Sequence, residues 1–301
     1  MSRSRTSPAA ALVATAVLLS LTPPAPAATT IGQTSPGTRN CGEDPGTSVQ
    51  VATGAATRSY AVPAGGGVIT SWQHDVATDT PAPVDVRLKV FRRVGTTNNY
   101  VTIGQSAVET LVTGGLKTFA TRIPVQGGDL LGFSQIELGR TRCAVGGAAG
   151  DQVAFSNDPD PALGGTFPFS PALEPLLVNV AATLEPDADG DGFGDETQDA
   201  CPSEGDTQGA CVPPETTITK GPKDKTKKKK ASFEFSSSEP GSTFQCSVDG
   251  KPFAPCISPD AEKVGKGKHE FAVQAVDPGG TVDPTPAGDS WKVKKKRKKG
   301  K

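Results

Sequence analysis

Residues 187–202 read DADGDGFGDETQDACP, in which Asp187, Asp189 and Asp191 alternate and are followed by Gly192 and then Asp195. A hard cation such as Ca²⁺ takes roughly six to eight oxygen ligands at about 2.3–2.6 Å, and alternating aspartates on a tightly curled chain can aim carboxylates at one centre. Gly192 falls at the sixth position of such a loop, where the backbone must turn sharply. Phe193, at the seventh, would offer its carbonyl oxygen rather than its ring. The wider segment, residues 185–212, holds nine acidic residues and no Lys or Arg. So dense a like-charge cluster repels itself unless cations compensate it.

Other chemistry finds little material. The chain has two His and one Met. His74 precedes Asp75 in SWQHD, so a His–Asp pair can be drawn, but no nucleophile stands in a defined setting beside it. GxSxG, HExxH and SxxK are all absent. His74 therefore reads as an exposed residue beside a strand, and His269 as part of a turn into one. Gly65–Gly67 lack the strand-to-helix setting of a phosphate loop and read as turn residues. Paired carboxylates for glycoside cleavage are defined by their separation in space, which sequence does not show. Two Trp and two Tyr are sparse for a sugar-binding cleft.

The acidic element resembles a thrombospondin type 3 repeat, the calcium-binding DxDxDGxGDxxDxCP element of extracellular proteins. The resemblance implies Ca²⁺ ligands at Asp187, Asp189, Asp191, Asp195 and the Phe193 carbonyl. It fails at the twelfth position, which is Gln198; the acid comes one residue later, and Asp199 is taken as the last ligand, with Glu196 as a further candidate and water able to fill a gap. No flanking helices are evident, so a regulatory EF-hand that opens a groove is not expected.

The elements that must position this loop lie on either side. Residues 1–27 carry Arg3 and Arg5, an apolar stretch from Ala9 to Leu21, and small residues flanking Pro26, the pattern of a secretory signal peptide with cleavage after Ala27. The rest offers no run of about 20 apolar residues, so no transmembrane segment is expected. Six Cys suit an oxidising compartment. Cys201 and Cys211 are ten apart, as are Cys246 and Cys256, which leaves Cys41 and Cys143 as a long-range pair; sequential pairing is one of about 15 connectivities, and free buried thiols are the other reading. No CxxC occurs, which argues against metal binding by these cysteines.

Residues 28–184 are rich in Val, Thr, Gly and Ala, with strand-length apolar runs between turn residues. Val84, Val86, Leu88 and Val90 alternate with Asp85, Arg87 and Lys89, the period of a half-buried strand. Gln126–Asp129 separates two such runs and predicts a hairpin. Eight or nine strands without helical periodicity give an all-β antiparallel sandwich. Stretches such as GGGVITSW and RIPVQGGDLLGF make the block similar to the jelly-roll-like exported domains of actinobacteria, a resemblance that implies no defined ligand. Residues 213–291 hold short strands and an Asp249–Gly250 turn inside the local Cys pair, and SSSEPGSTFQCSVDG with FAVQAVDPGGTVDPTPA resembles the Ig-like repeats of secreted bacterial surface proteins. Residues 292–301, KVKKKRKKGK, read as a disordered basic tail.

Whole-chain charge, 31 Lys+Arg against 32 Asp+Glu, hides an acidic linker followed by a C-terminal block with 19 basic and 11 acidic residues. No aromatic residues interleave with the basic runs, so sequence-specific nucleic-acid binding is not expected. The expectation is a secreted, non-enzymatic, calcium-braced envelope or adhesion protein. Its expected partners are anionic cell-wall polymers, glycans or envelope proteins. The alternative is an extracellular polysaccharide-binding protein, or a polysaccharide hydrolase with accessory modules.

Overall fold

The computed structural model describes residues 27–294 apart from 36, 40–44, 55–57, 79–82, 113 and 138–140. Among the described residues the chain is all-β, and no helix is long and apolar enough to cross a membrane. The expected signal peptide lies outside the described residues except for Ala27.

The N-terminal module contains β1 (Thr29–Gln33), β2 (Gly46–Ala52), β3 (Gly67–Val76), β4 (Val84–Arg93), β5 (Asn99–Gln105), β6 (Glu109–Leu111) and β7 (Gly115–Val125). It continues with β8 (Leu130–Gln135), β9 (Ala144–Gly146), β10 (Gln152–Ser156), β11 (Thr166–Pro168), β12 (Ser170–Pro171), β13 (Leu176–Val178) and β14 (Val180–Glu185). One sheet runs β1-β14-β3-β7; the larger runs β11-β5-β4-β8-β2-β10-β12, with β6 on β4. Ile69 and Trp72 of the first sheet share one core with Val86, Leu88 and Phe133 of the second, so the module is a β-sandwich.

The alternation in β4 holds on its core face, but its outer face is not open to water. Phe91 packs there with Val49, Tyr100, Ala154 and Phe169 in a second cluster. Lys89 is buried as well, its ammonium ion-paired with Asp160 Oδ1 (2.5 Å) and donating to Gln105 Oε1 (2.6 Å) and the Pro161 carbonyl (2.9 Å). Burial holds the Lys89 pKa below its ordinary value, against the pull of Asp160. The middle of β4 is thus covered on both sides.

The turn 126–129 does not make a hairpin. β7 pairs with β3 in the smaller sheet, and β8 pairs with β2 and β4 in the larger, so the turn is an arch between sheets. Gly128 supplies the positive φ (90°) that a hairpin would also need. The arch is closed by buried Asp129, which accepts from Gln126 N (2.7 Å) and from Arg92 Nε and Nη2 (2.7 and 2.9 Å). That forked pair fixes orientation as well as charge.

The C-terminal module contains β15 (Thr216–Lys220), β16 (Lys225–Thr226), β17 (Lys230–Ser237), β18 (Thr243–Val248), β19 (Ala254–Cys256), β20 (Asp260–Lys263), β21 (Gly267–Val276) and β22 (Ala287–Val293). Sheets β15-β17-β20 and β16-β22-β21-β18-β19 enclose Phe233, Phe271, Val273 and Trp291, with the Phe233 and Phe271 rings stacked at 3.9 Å. Asp249 and Gly250 (φ 54° and 72°) turn β18 toward β19, and the Cys246–Cys256 disulfide clips these two strands. β22 runs two residues into the segment expected to be a disordered tail. Val293 is buried there, and burying a Val stabilises by about 1.5–3 kcal/mol, enough to offset the roughly 1–2 kcal/mol of backbone entropy lost per ordered residue. Residues 295–301 lie outside the described ones.

Candidate metal centre

Between the modules the chain forms no strand from Pro186 to Glu215. Its start is fixed by Glu185, at the end of β14 and 1% exposed. This carboxylate accepts from Thr70 Oγ1 (2.8 Å) on β3 and, from the returning chain, Glu196 N (3.0 Å), Thr197 N (2.9 Å) and Thr197 Oγ1 (2.7 Å). Burial pushes the Glu185 pKa up, yet these hydrogen bonds outweigh it and hold the group below its ordinary value. Nothing in the residue order marks Glu185 as an anchor, because its donors are 11, 12 and 115 positions away.

The loop also lies against β7. Gln198 donates through Nε2 to the Thr121 carbonyl (2.8 Å), and the Arg122 guanidinium sits 4.1 Å over the Phe193 ring. Gln198, the residue that breaks the repeat pattern, therefore faces the sandwich, while Asp199 beside it is buried.

Within the loop each aspartate spends one oxygen on backbone. Gly192 N donates to Asp187 Oδ2 (3.2 Å), Asp191 N to Asp189 Oδ1 (3.2 Å), and Phe193 N to Asp191 Oδ1 (2.7 Å). Ala188 N donates to Asp195 Oδ1 (3.1 Å), and Cys201 N to Asp199 Oδ1 (2.8 Å). Gly190 and Gly192 take positive φ (79° and 86°) to make the curl. What remains is Asp187 Oδ1, Asp189 Oδ2, Asp195 Oδ2 and Asp199 Oδ2, all buried and without a hydrogen-bond partner. Asp191 differs: its second oxygen accepts from Gln208 Nε2 (2.8 Å).

Asp187, Asp189 and Asp191 each bring one oxygen within 4.8 Å of the others, whereas Asp195 and Asp199, expected in the same set, do not join this group. Burial, then the charges of neighbouring aspartates that include Asp187 and Asp199, raises the pKa of Asp189 and of Asp195. Buried anionic oxygens without donors are costly unless a proton or cation joins them, and an all-oxygen set of this kind fits a hard divalent ion such as Ca²⁺. Glu196 is exposed and turned away, accepting from Ala28 N. The Cys201–Cys211 disulfide closes the next loop, where Ala200 N also donates to the Gln208 carbonyl (3.0 Å). Cys143 is disulfide-bonded, and Cys41, its expected partner, lies outside the described residues.

The two histidines are placed otherwise. His74 is fully buried rather than exposed: its ring stacks on Phe133 at 4.6 Å and Nδ1 lies 2.7 Å from the Asn179 carbonyl, an arrangement of a core residue. His269 Nδ1 is 2.9 Å from Asp249 Oδ2.

No protein-family model matches the chain, and no curated protein does. Among solved structures the chain is similar to the fibronectin(III)-like modules of Clostridium thermocellum CbhA, with 14% identity, a TM-score of 0.25, and 77% of this chain and 88% of that chain covered.

Proposed function

We propose that this chain is an exported, non-enzymatic protein of the cell envelope in which two β-sandwiches are joined by a linker that Ca²⁺ braces. The observation that carries the reading is the set of four partnerless aspartate oxygens in the loop between the modules. Asp187, Asp189, Asp195 and Asp199 would hold the ion through these atoms, with Asp191 joining if Gln208 yields and the Phe193 carbonyl as a further ligand. Charge neutralisation would then convert a self-repelling segment into a fixed spacer. The oxidised Cys201–Cys211 and Cys246–Cys256 pairs support an extracellular setting.

Attachment would come from the C-terminal module, where Lys227, Lys228, Lys229, Lys266 and Lys294 ring one depression. That cluster suits polyanions such as wall polymers or anionic glycans, bound by charge rather than by sequence. Calorimetry tests the core of the reading: Ca²⁺ should release or absorb heat with the mature chain and much less with Asp189→Ala. Equal heats from the two, or none from either, refute it.

A further inference from the structure

A second group of carboxylates forms where the linker meets the C-terminal module, built from residues far apart in sequence. Glu204 lies in the disulfide loop 201–211, on a turn in which its N–H donates to the Cys201 carbonyl (3.1 Å). Glu239 lies between β17 and β18, its N–H donating to Ser237 Oγ (3.1 Å) and its carbonyl accepting from Ser242 Oγ (2.9 Å). Asp277 follows β21 and caps a tight turn: Oδ1 accepts from Thr281 N (2.7 Å), and the backbones of the same two residues pair at 3.0 Å. The disulfide loop is seated on this turn, since a Cβ at Gly279 would stand 2.6 Å from Ser203 Oγ.

One oxygen from each acid lies within 4.8 Å of the other two. Asp277 is only 4% exposed, and its Oδ2 has no hydrogen-bond partner; neither has Glu204 Oε1. Among the described residues no Lys, Arg or His forms a salt bridge with any of the three. Asp277 is buried and Glu204 and Glu239 are half-buried, so three acids this close without a counter-ion repel one another unless a proton or a cation joins them. The neighbouring Cys201 and Cys211 are spent in a disulfide, so the available donors are hard oxygens. An all-oxygen set from side chains of three separate turns suits Ca²⁺, which takes roughly six to eight oxygens in flexible geometry, better than Mg²⁺, which demands a near-ideal octahedron.

We propose that Glu204, Glu239 and Asp277 bind one Ca²⁺ ion that pins the linker's disulfide loop to the C-terminal sandwich. This site is separate from the 187–199 loop and needs no ion there. Its ligands come from both sides of a module boundary, so it would fix the orientation of the C-terminal module, whereas the first site stiffens the linker itself.

Equilibrium dialysis with radioactive Ca²⁺, over about 0.1–10 mM free ion to cover extracellular affinities, decides the matter on the full mature chain. Glu204→Gln and Glu239→Gln should each lose one bound ion, or bind it at least tenfold more weakly, with unchanged circular dichroism. Asp189→Asn should retain that ion, and adding Glu204→Gln to it should remove the ion. These two Gln variants carry the test because Asp277→Asn also disturbs a turn. A Ca²⁺ count unchanged by Glu204→Gln overturns the proposal. So does a Glu204→Gln chain that keeps its count and gains stability at neutral pH, the signature of a proton shared among the acids.

Discussion

Removing Ca²⁺ from the mature chain should loosen residues 187–199 and leave the strands of both sandwiches untouched. For a dissociation constant of about 10⁻⁴–10⁻³ M, usual for extracellular modules, 10 mM free Ca²⁺ stabilises the bound loop by RT ln(1 + [Ca²⁺]/Kd), about 1.4–2.7 kcal/mol. Amide exchange that proceeds through local opening should slow by the same factor, about 10- to 100-fold. The reporters are set by geometry: Ala188, Gly192 and Phe193 donate their N–H groups to Asp195, Asp187 and Asp191. Exchange measured by NMR in Ca²⁺ and in chelator should therefore differ at these amides and not at Trp72 or Leu88. Asp189→Asn removes the charge but keeps an oxygen for Asp191 N, and should abolish most of the difference. Acidity gives a second handle. Without Ca²⁺ the pKa values of Asp189 and Asp195 are raised, so above 3.8, their ordinary value, the folded loop binds more protons than the unfolded one and loses stability as pH rises. Bound Ca²⁺ favours the anions and reverses that slope. Exchange that is equal in the two solutions, or that changes uniformly through the chain, would refute the reasoning.

Three further outcomes follow from the fold. His74 is buried with its pKa lowered by desolvation from 6.5 to about 4, so the unfolded chain takes up a proton that the folded one refuses between these values; stability should fall by about 3 kcal/mol as pH drops across the window. Urea titrations at pH 7 and 4 should show this term in the wild type and not in His74→Phe. Replacing Cys201 and Cys211 by Ser should destabilise the linker by about 3 kcal/mol, the loop entropy released on opening residues 201–211, read as faster exchange at Ala200, whose amide bonds Gln208. Gly132→Ala should lower the denaturant midpoint by the equivalent of about 1–3 kcal/mol, because its Cβ would stand 2.5 Å from the Ser48 carbonyl oxygen and 2.6 Å from the Phe91 ring.

Residue order carried the local pattern and little of the long-range pairing. The β4 alternation identified a strand and its core face, but the cover on its other face comes from Phe169 and Asp160, nearly 70 residues or more away. A Gly-Gly-Asp turn looks the same in a hairpin and an arch; what distinguishes 126–129 is that β7 found β3 and β8 found β2. Two features were legible and passed over. Trp72, His74 and Val76 alternate with Gln73 and Asp75, which places His74 on the buried face of β3. Trp291 and Val293 alternate in the same way, although the lysines around them suggest a tail. Within 187–199 the aspartate spacing was visible, whereas the bond from Gln198 to the Thr121 carbonyl, 77 positions away, was not.

How this chain treats buried carboxylates elsewhere explains why the linker acids point to ions. Asp129 has both oxygens filled by Arg92 and Gln126 N, and Glu185 both filled by Thr70, Glu196 and Thr197. Asp283 has its pair filled by Thr216 N and by Thr285, and although burial pushes its pKa up, those bonds hold it below the ordinary value. The fold therefore supplies donors where a carboxylate is to stay buried without an ion, as the energetic penalty for an unpaired buried charge requires. Asp260 Oδ2 also lacks a partner but belongs to no acidic group. Among the described residues, the carboxylates that both belong to a group of acids and keep an open oxygen are Asp187 and Asp189 in the loop and Glu204 and Asp277 beyond it. Both places touch the one segment with nine acids and no Lys or Arg. A chain that neutralises its other buried acids with its own donors, and leaves these open along a single connecting segment, has the chemistry of a spacer whose rigidity is set by the calcium concentration around it.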